Sequence, residues 1–319
     1  MRSGKPPWRH AVYGVHLESD WRLLHQEPAK SGRAADIKLM LASPARLAQA
    51  RVQAAMVPSS ADWFQYGRLP DGSTYLRWKG LFEFVVSSDG SRIFGAQLSG
   101  ATRESFQTYA LGHVLSFALL KKGIEPLHST AVAIDGSAVA FVGDCGYGKS
   151  SLGAAFLQAG YRILTDDLLV VRASRGRLMA FSGPARLKLV PEIARPLLGS
   201  HVRGTPMVPN SHKLLVPLAP RQSCPGSLPL GRIYVLSPPP AGKDSDRPRI
   251  RAISRREAFL ELTRNTFNTI VAEPERLKSQ FLTATRLARA VPVKRLSYPR
   301  RLEMIPAVRE AILADLQKN

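Results

Sequence analysis

Period-two patterns dominate the first hundred residues. Residues 74–78, Thr-Tyr-Leu-Arg-Trp, alternate polar and apolar side chains, and residues 81–86 do so in part. Both patterns belong to half-buried strands. Residues 11–17, 36–41 and 91–98 read as further strands, and Pro70-Asp71-Gly72, Lys79-Gly80 and Asp89-Gly90 mark turns between several of them. A β-rich N-terminal domain over residues 1–104 is expected. Trp63, Phe64 and Tyr66 are either a binding platform within it or, more commonly for such residues, core aromatics. The period then changes. Phe106, Tyr109, Ala110, Val114, Phe117 and Leu120 fall near helical spacing, and Lys121, Lys122 and Gly123 suit a helix C-terminus. His113 on this helix reads as a packing residue.

Two apolar runs between residues 127 and 143 are joined by Asp135-Gly136, a two-residue hairpin signal. With Ile134 facing Ser137, the register brings His128 opposite Gly143. Residues 137–142 read as a buried strand and residues 152–159 as a helix. Residues 161–165 form the next strand, then Asp166 and Asp167, then the apolar run 168–171. A helix of about eleven residues descends about 16 Å, and a strand of about five climbs about 16 Å. The two acids therefore return to the level at which the helix began. Further strands are expected over 185–189, 212–217 and 231–236, and an exposed loop over 238–248. Helices are expected over 255–266, 273–290 and 305–316. No internal repeat is evident. Residues 105–319 thus read as an α/β domain.

Composition narrows the class. A chain of 319 residues with 45% hydrophobic residues builds a real core, which excludes global disorder. Two cysteines, Cys145 and Cys224, supply neither a disulfide framework nor zinc spacing. The first residues lack the apolar centre of a signal peptide, and the most apolar stretch is too short and polar to span a bilayer. A cytoplasmic protein with no membrane partner is expected. Lys and Arg number 45 against 24 Asp and Glu, a net charge of +21 that favours anionic partners. The cations are scattered, with Arg255-Arg256 and Arg300-Arg301 as pairs, so nucleic acid is the less favoured partner. Arg186, Lys188 and Lys213 are candidates for phosphate or an anionic substrate.

The chemistry concentrates between the hairpin and the helix. Gly143-Asp144-Cys145-Gly146-Tyr147-Gly148-Lys149-Ser150-Ser151 fits the phosphate-loop pattern G-x-x-x-x-G-K-[ST] at every fixed position. Its glycines let the backbone turn its N–H groups inward, and the helix N-terminus adds partial positive charge. Lys149 would reach the β- and γ-phosphates of ATP, and the Ser150 hydroxyl would ligate Mg²⁺. Asp166 and Asp167 follow Lys149 by 17 and 18 residues, in reach of the same phosphates.

His128, the loop and Asp166-Asp167 together resemble the catalytic core of HPr kinase/phosphorylase and its relatives, the kinases of lasso-peptide precursors. Residues 128–171 carry the resemblance, and the layout around Leu127-His-Ser-Thr-Ala-Val-Ala-Ile-Asp-Gly136 is closer to the lasso-type relatives. The resemblance implies a P-loop kinase core similar to phosphoenolpyruvate carboxykinase, with Asp167 as acid/base, Lys149 on phosphate and Ser150 on Mg²⁺. Asp166 would orient the metal shell, and His128 would bond an acid or the γ-phosphate. Beyond Val171 nothing resembles the second signature of the HPr enzymes, with its metal-binding Glu. The expected activity is transfer from Mg²⁺-ATP to a Ser hydroxyl of a peptide or small protein with an anionic segment; a homo-oligomer is open. The alternatives are a kinase of small-molecule or RNA hydroxyls and a non-catalytic nucleotide-switched regulator.

Overall fold

The computed structural model describes residues 7–26, 33–58, 63–209, 211–238 and 247–318. Most of the loop expected over 238–248 lies outside them. The chain is mixed α/β and divides into two compact units, residues 1–124 with 206–211, and residues 125–205 with 212–319. No helix among the described residues is long and apolar enough to cross a membrane.

The first unit is an eight-stranded sheet in the order Trp8–Val12, Val15–Ser19, Ile37–Leu41, Arg92–Gln97, Phe82–Val86, Thr74–Trp78, Phe64–Arg68, Ala55–Met56. The single strand expected over 11–17 is a hairpin instead. Tyr13 and Gly14 adopt φ of +54° and +74°, and the chain reverses inside the apolar run. One sheet face, with Tyr75, Val85 and Phe94, packs on Leu47 and Ala50 of helix Pro44–Gln53, which the hydrophobic pattern did not reveal. The other face, with Trp78, Phe82 and Phe84, meets Phe106, Tyr109 and His113 at ring-centroid distances of 4.7 to 5.5 Å. Those rings sit on the helix over 103–121, whose middle turn, Ala110–Val114, is π-helical. This packing ties the helix to the first unit, so the units divide after residue 124, not after 104. Phe64 and Tyr66 are core aromatics of the same layer, against Trp78 and Phe117, while Trp63 is exposed.

The second unit is built on the hairpin Leu127–Ile134 and Ser137–Val142. Asp135 and Gly136 take φ of +46° and +74°, the left-handed pair that a tight two-residue turn requires. The ladder runs in the expected register from Ser137↔Ile134 to Val142↔Ser129, one step short of Gly143 and His128. Strand Ser227–Ser237 runs parallel to Ser137–Val142, and Val293–Ser297 lies parallel beyond it. Strand Ser227–Ser237 also pairs with Arg177–Phe181, which pairs with Leu168–Ser174. The latter returns to the hairpin through Leu168↔His128. Five strands thus close into a ring. Helix Lys149–Gln158 buries Leu152, Phe156 and Leu157 against Phe141, Leu187 and Tyr234. Helices Pro191–Leu198 and Ile305–Gln317 flank it.

Candidate functional site

The loop over 143–151 leaves strand Ser137–Val142 and enters helix Lys149–Gln158 at Gly148, whose φ is +87°. That helix start has no side-chain cap, so its first N–H groups remain available to an anion. Lys149 is buried. Its Nζ donates to the carbonyls of Gly143 at 2.6 Å and Asp144 at 3.0 Å, which holds the ammonium across its own loop. Burial lowers its pKa, and the nearby Cys145, Asp166 and Asp167 oppose that shift.

Gly148 is a position where only glycine fits. A Cβ there would lie 2.8 Å from the Tyr298 hydroxyl, on a backbone that L side chains rarely adopt. Gly148→Ala is therefore expected to cost about 1–3 kcal/mol of stability and to weaken nucleotide binding. Tyr298→Phe, which removes the clashing oxygen, should recover part of the loss in the double variant. Wild-type melting of Gly148→Ala would mean that the loop turns differently.

The two acids return to the loop as their spacing implied, but into different surroundings. Asp166 is buried and accepts from Thr130 Oγ1 at 2.6 Å, Ser150 Oγ at 2.9 Å and the Lys188 backbone N–H at 2.7 Å. Burial raises its pKa although these three bonds oppose the shift. Asp167 points a carboxylate toward the cavity and takes a φ of +79°, a left-handed backbone stored at a single non-glycine residue. Its Oδ2 accepts from Lys188 Nζ at 2.6 Å. Lys188 therefore grips both acids, one by its backbone and one by its ammonium.

His128 pairs across the sheet with Leu168, next to Asp167. Its Nε2 stands 4.0 Å from Asp167 Oδ1, beyond direct hydrogen bonding, and its ring meets Phe267 edge-on. Burial and the charges of Lys149, Lys188 and Lys213 push its pKa down to about 4. Asp167 opposes them and loses. The imidazole is neutral at physiological pH, where its protonation does not change. The unfolded chain takes up this proton near pH 6.5 and the folded protein only near 4. Stability is thus expected to rise with pH across that window and to fall on acidification. In His128→Gln the melting temperature should drop less between pH 6.5 and 4 than in the wild type. Parallel pH dependence of the two proteins would contradict this.

These groups line a cavity of about 290 Å³, at the lower end of small-molecule sites. His128, Cys145, Gly146, Gly148, Lys149, Ser150, Ser151, Asp166 and Asp167 reach its wall. Gly143 and Asp144 instead supply carbonyls to Lys149, and Tyr147 lies under the Arg300 guanidinium at 3.8 Å from its ring centre. Lys213 of the basic candidates also lines the cavity. Thr130, Tyr298, Arg301 and Leu302 were not legible as site residues, because no motif marks them. The hydroxyl of Ser150 and the carboxylate of Asp166 are hard oxygen donors that fit Mg²⁺. Among the described residues no group of three His, Cys, Asp or Glu is arranged to hold a metal. An ion here would take the rest of its shell from phosphate and water.

No family model matches the sequence, and no curated protein matches it. Among solved structures the chain is similar to the HPr(Ser) kinase/phosphatase from Coxiella burnetii, at 13% identity and a TM-score of 0.31, over 60% of this chain and 92% of that one. The superposition is too loose to carry function, which is read from the site's own residues.

Proposed function

We propose that this chain is a Mg²⁺-ATP-dependent kinase that phosphorylates a hydroxyl, the Ser side chain of a peptide or small protein with an anionic segment. The observation that carries the reading is the division of labour between adjacent acids. Asp166 is buried and bonded to the Ser150 hydroxyl, while Asp167 faces the cavity on a strained backbone. Paired acids in unlike surroundings are how one site separates a structural carboxylate from a reactive one.

The loop amides and Lys149 bind the β- and γ-phosphates. Ser150 and Asp166 would hold the metal ion, which when bound supplies charge neutralisation at those phosphates. Asp167 accepts the proton of the acceptor hydroxyl as its oxygen bonds to the γ-phosphorus; the bond to the bridging oxygen breaks and ADP leaves. Lys188, 2.6 Å from Asp167, holds that carboxylate in position. Neutral His128 can donate one ring N–H to a phosphate oxygen without adding charge. Lys188, Lys213, Arg300 and Arg301 on the cavity wall, with the net charge of +21, favour an anionic acceptor.

The test is incubation with γ-labelled ATP, Mg²⁺ and a Ser-containing peptide pool or cell extract. Label recovered on a hydroxyl as an acid-stable ester is expected. Tight ATP binding with no transfer to any fraction would indicate a nucleotide-switched regulator instead.

A further inference from the structure

The lining of the cavity sorts by chemistry onto different elements. His128, Thr130, Asp166, Asp167 and Lys188 come from the strands and the bend that carry the acids. A second set is apolar: Val190 and Ile193 at the start of helix Pro191–Leu198, and Tyr298, Leu302 and Ile305 between strand Val293–Ser297 and helix Ile305–Gln317. The phosphate loop contributes to the same cavity. The acid chemistry has no use for this second set. Val190, Ile193 and Leu302 are half-buried apolar side chains opening into it, although water would otherwise favour their being covered.

The side chains that flank the loop there are fixed. Tyr298 is buried, with its hydroxyl turned to Gly148. Arg300 lies over the Tyr147 ring, and among the described residues no carboxylate pairs with it. A guanidinium held on an aromatic face keeps its charge and a flat surface for a second stacking partner.

We propose that this apolar end is a nucleobase subsite, with Ile193 and Leu302 as its walls and Arg300 as the stacking edge. The proposal rests on the reading of the loop as a phosphate site and extends it to the part of the nucleotide that the loop does not touch. Apolar walls grip the face of a base and leave its edge unread. A pocket of this kind discriminates weakly between bases of one size, because no buried polar group is stranded by the wrong one. The subsite therefore accepts purines as a class, adenine and guanine alike.

Binding to the unaltered protein in Mg²⁺ decides it. ATP is expected to bind about 10- to 100-fold tighter than inorganic tripolyphosphate, the gain that base stacking supplies. GTP should bind within about a hundredfold of ATP, since hydrophobic pockets separate near-isosteres by only about 10- to 200-fold. Ile193→Ala and Leu302→Ala, checked by melting, should weaken ATP severalfold and leave tripolyphosphate unchanged. Tripolyphosphate binding as tightly as ATP would overturn the subsite while leaving the phosphate loop standing. Loss of both ligands in equal measure in the two variants would do the same. A preference of 100-fold or more between ATP and GTP would overturn the purine tolerance. Failure of ATP and tripolyphosphate alike to bind would bring down the loop reading and the subsite with it.

Discussion

Lys149→Ala is expected to raise the dissociation constant for Mg²⁺-ATP and to abolish phosphotransfer. The ammonium is the buried cation of the loop, held by two carbonyls at 2.6 and 3.0 Å. In the proposed reading no other cation of the loop replaces this charge at the phosphates. Removing one such preorganised donor typically costs a factor of about 10² to 10³ in rate, and the loss in binding adds to it. Folding should suffer little, because burial already disfavours the charged lysine. Calorimetric titration beside a rate measurement reads both effects. Unchanged transfer by a folded variant would remove the loop from the chemistry.

Asp167→Asn is expected to behave differently: nucleotide binding survives and transfer falls by about 10² to 10⁴, the usual cost of losing a general base. Asparagine is the right probe because the backbone here is left-handed, at φ +79°. Asn tolerates that conformation, whereas Ala adds strain to the loss of the carboxylate. Asp166→Asn should instead lower affinity for Mg²⁺-nucleotide, since its carboxylate holds the Ser150 hydroxyl at 2.9 Å. Near-normal transfer by Asp167→Asn together with a dead Asp166→Asn would reverse the two roles.

The hairpin register was legible because Asp135-Gly136 permits one tight turn, and that turn dictates every partner up to Val142↔Ser129. The return of the acids was legible from element lengths, and the contact of Asp166 with Ser150 follows from it. Other features depend on partners that local pattern does not name. The helical spacing over 106–120 announces a buried face, and it is Trp78 and Phe82 that decide which unit buries it. Tyr13-Gly14 reverses the chain inside an apolar run that otherwise reads as one strand. Lys188 was visible as a basic candidate. Its double grip on the acids arises only once strand Arg186–Leu189 lies beside them. Tyr298 and Leu302 reach the cavity from about 150 residues beyond the loop, a separation no motif spans.

The closed ring of strands has a consequence for how the protein comes into being. Strand Ser137–Val142, which delivers the loop, finds its parallel partner about 90 residues later, in the pairing Ala138↔Leu230. Such distant pairing must close a long stretch of chain before it is rewarded, so it forms slowly. A ribosome that has released only the first 220 residues has therefore made every motif residue of the loop and both acids. It has not yet made the strand against which Gly143 is seated, so closely that a Cβ added there would lie 3.0 Å from the Leu236 carbonyl oxygen. Competence to bind phosphate should appear late and all at once. A nascent chain halted before residue 227 should remain dependent on chaperones, the residues of its proposed nucleotide site present in sequence and not yet assembled in space.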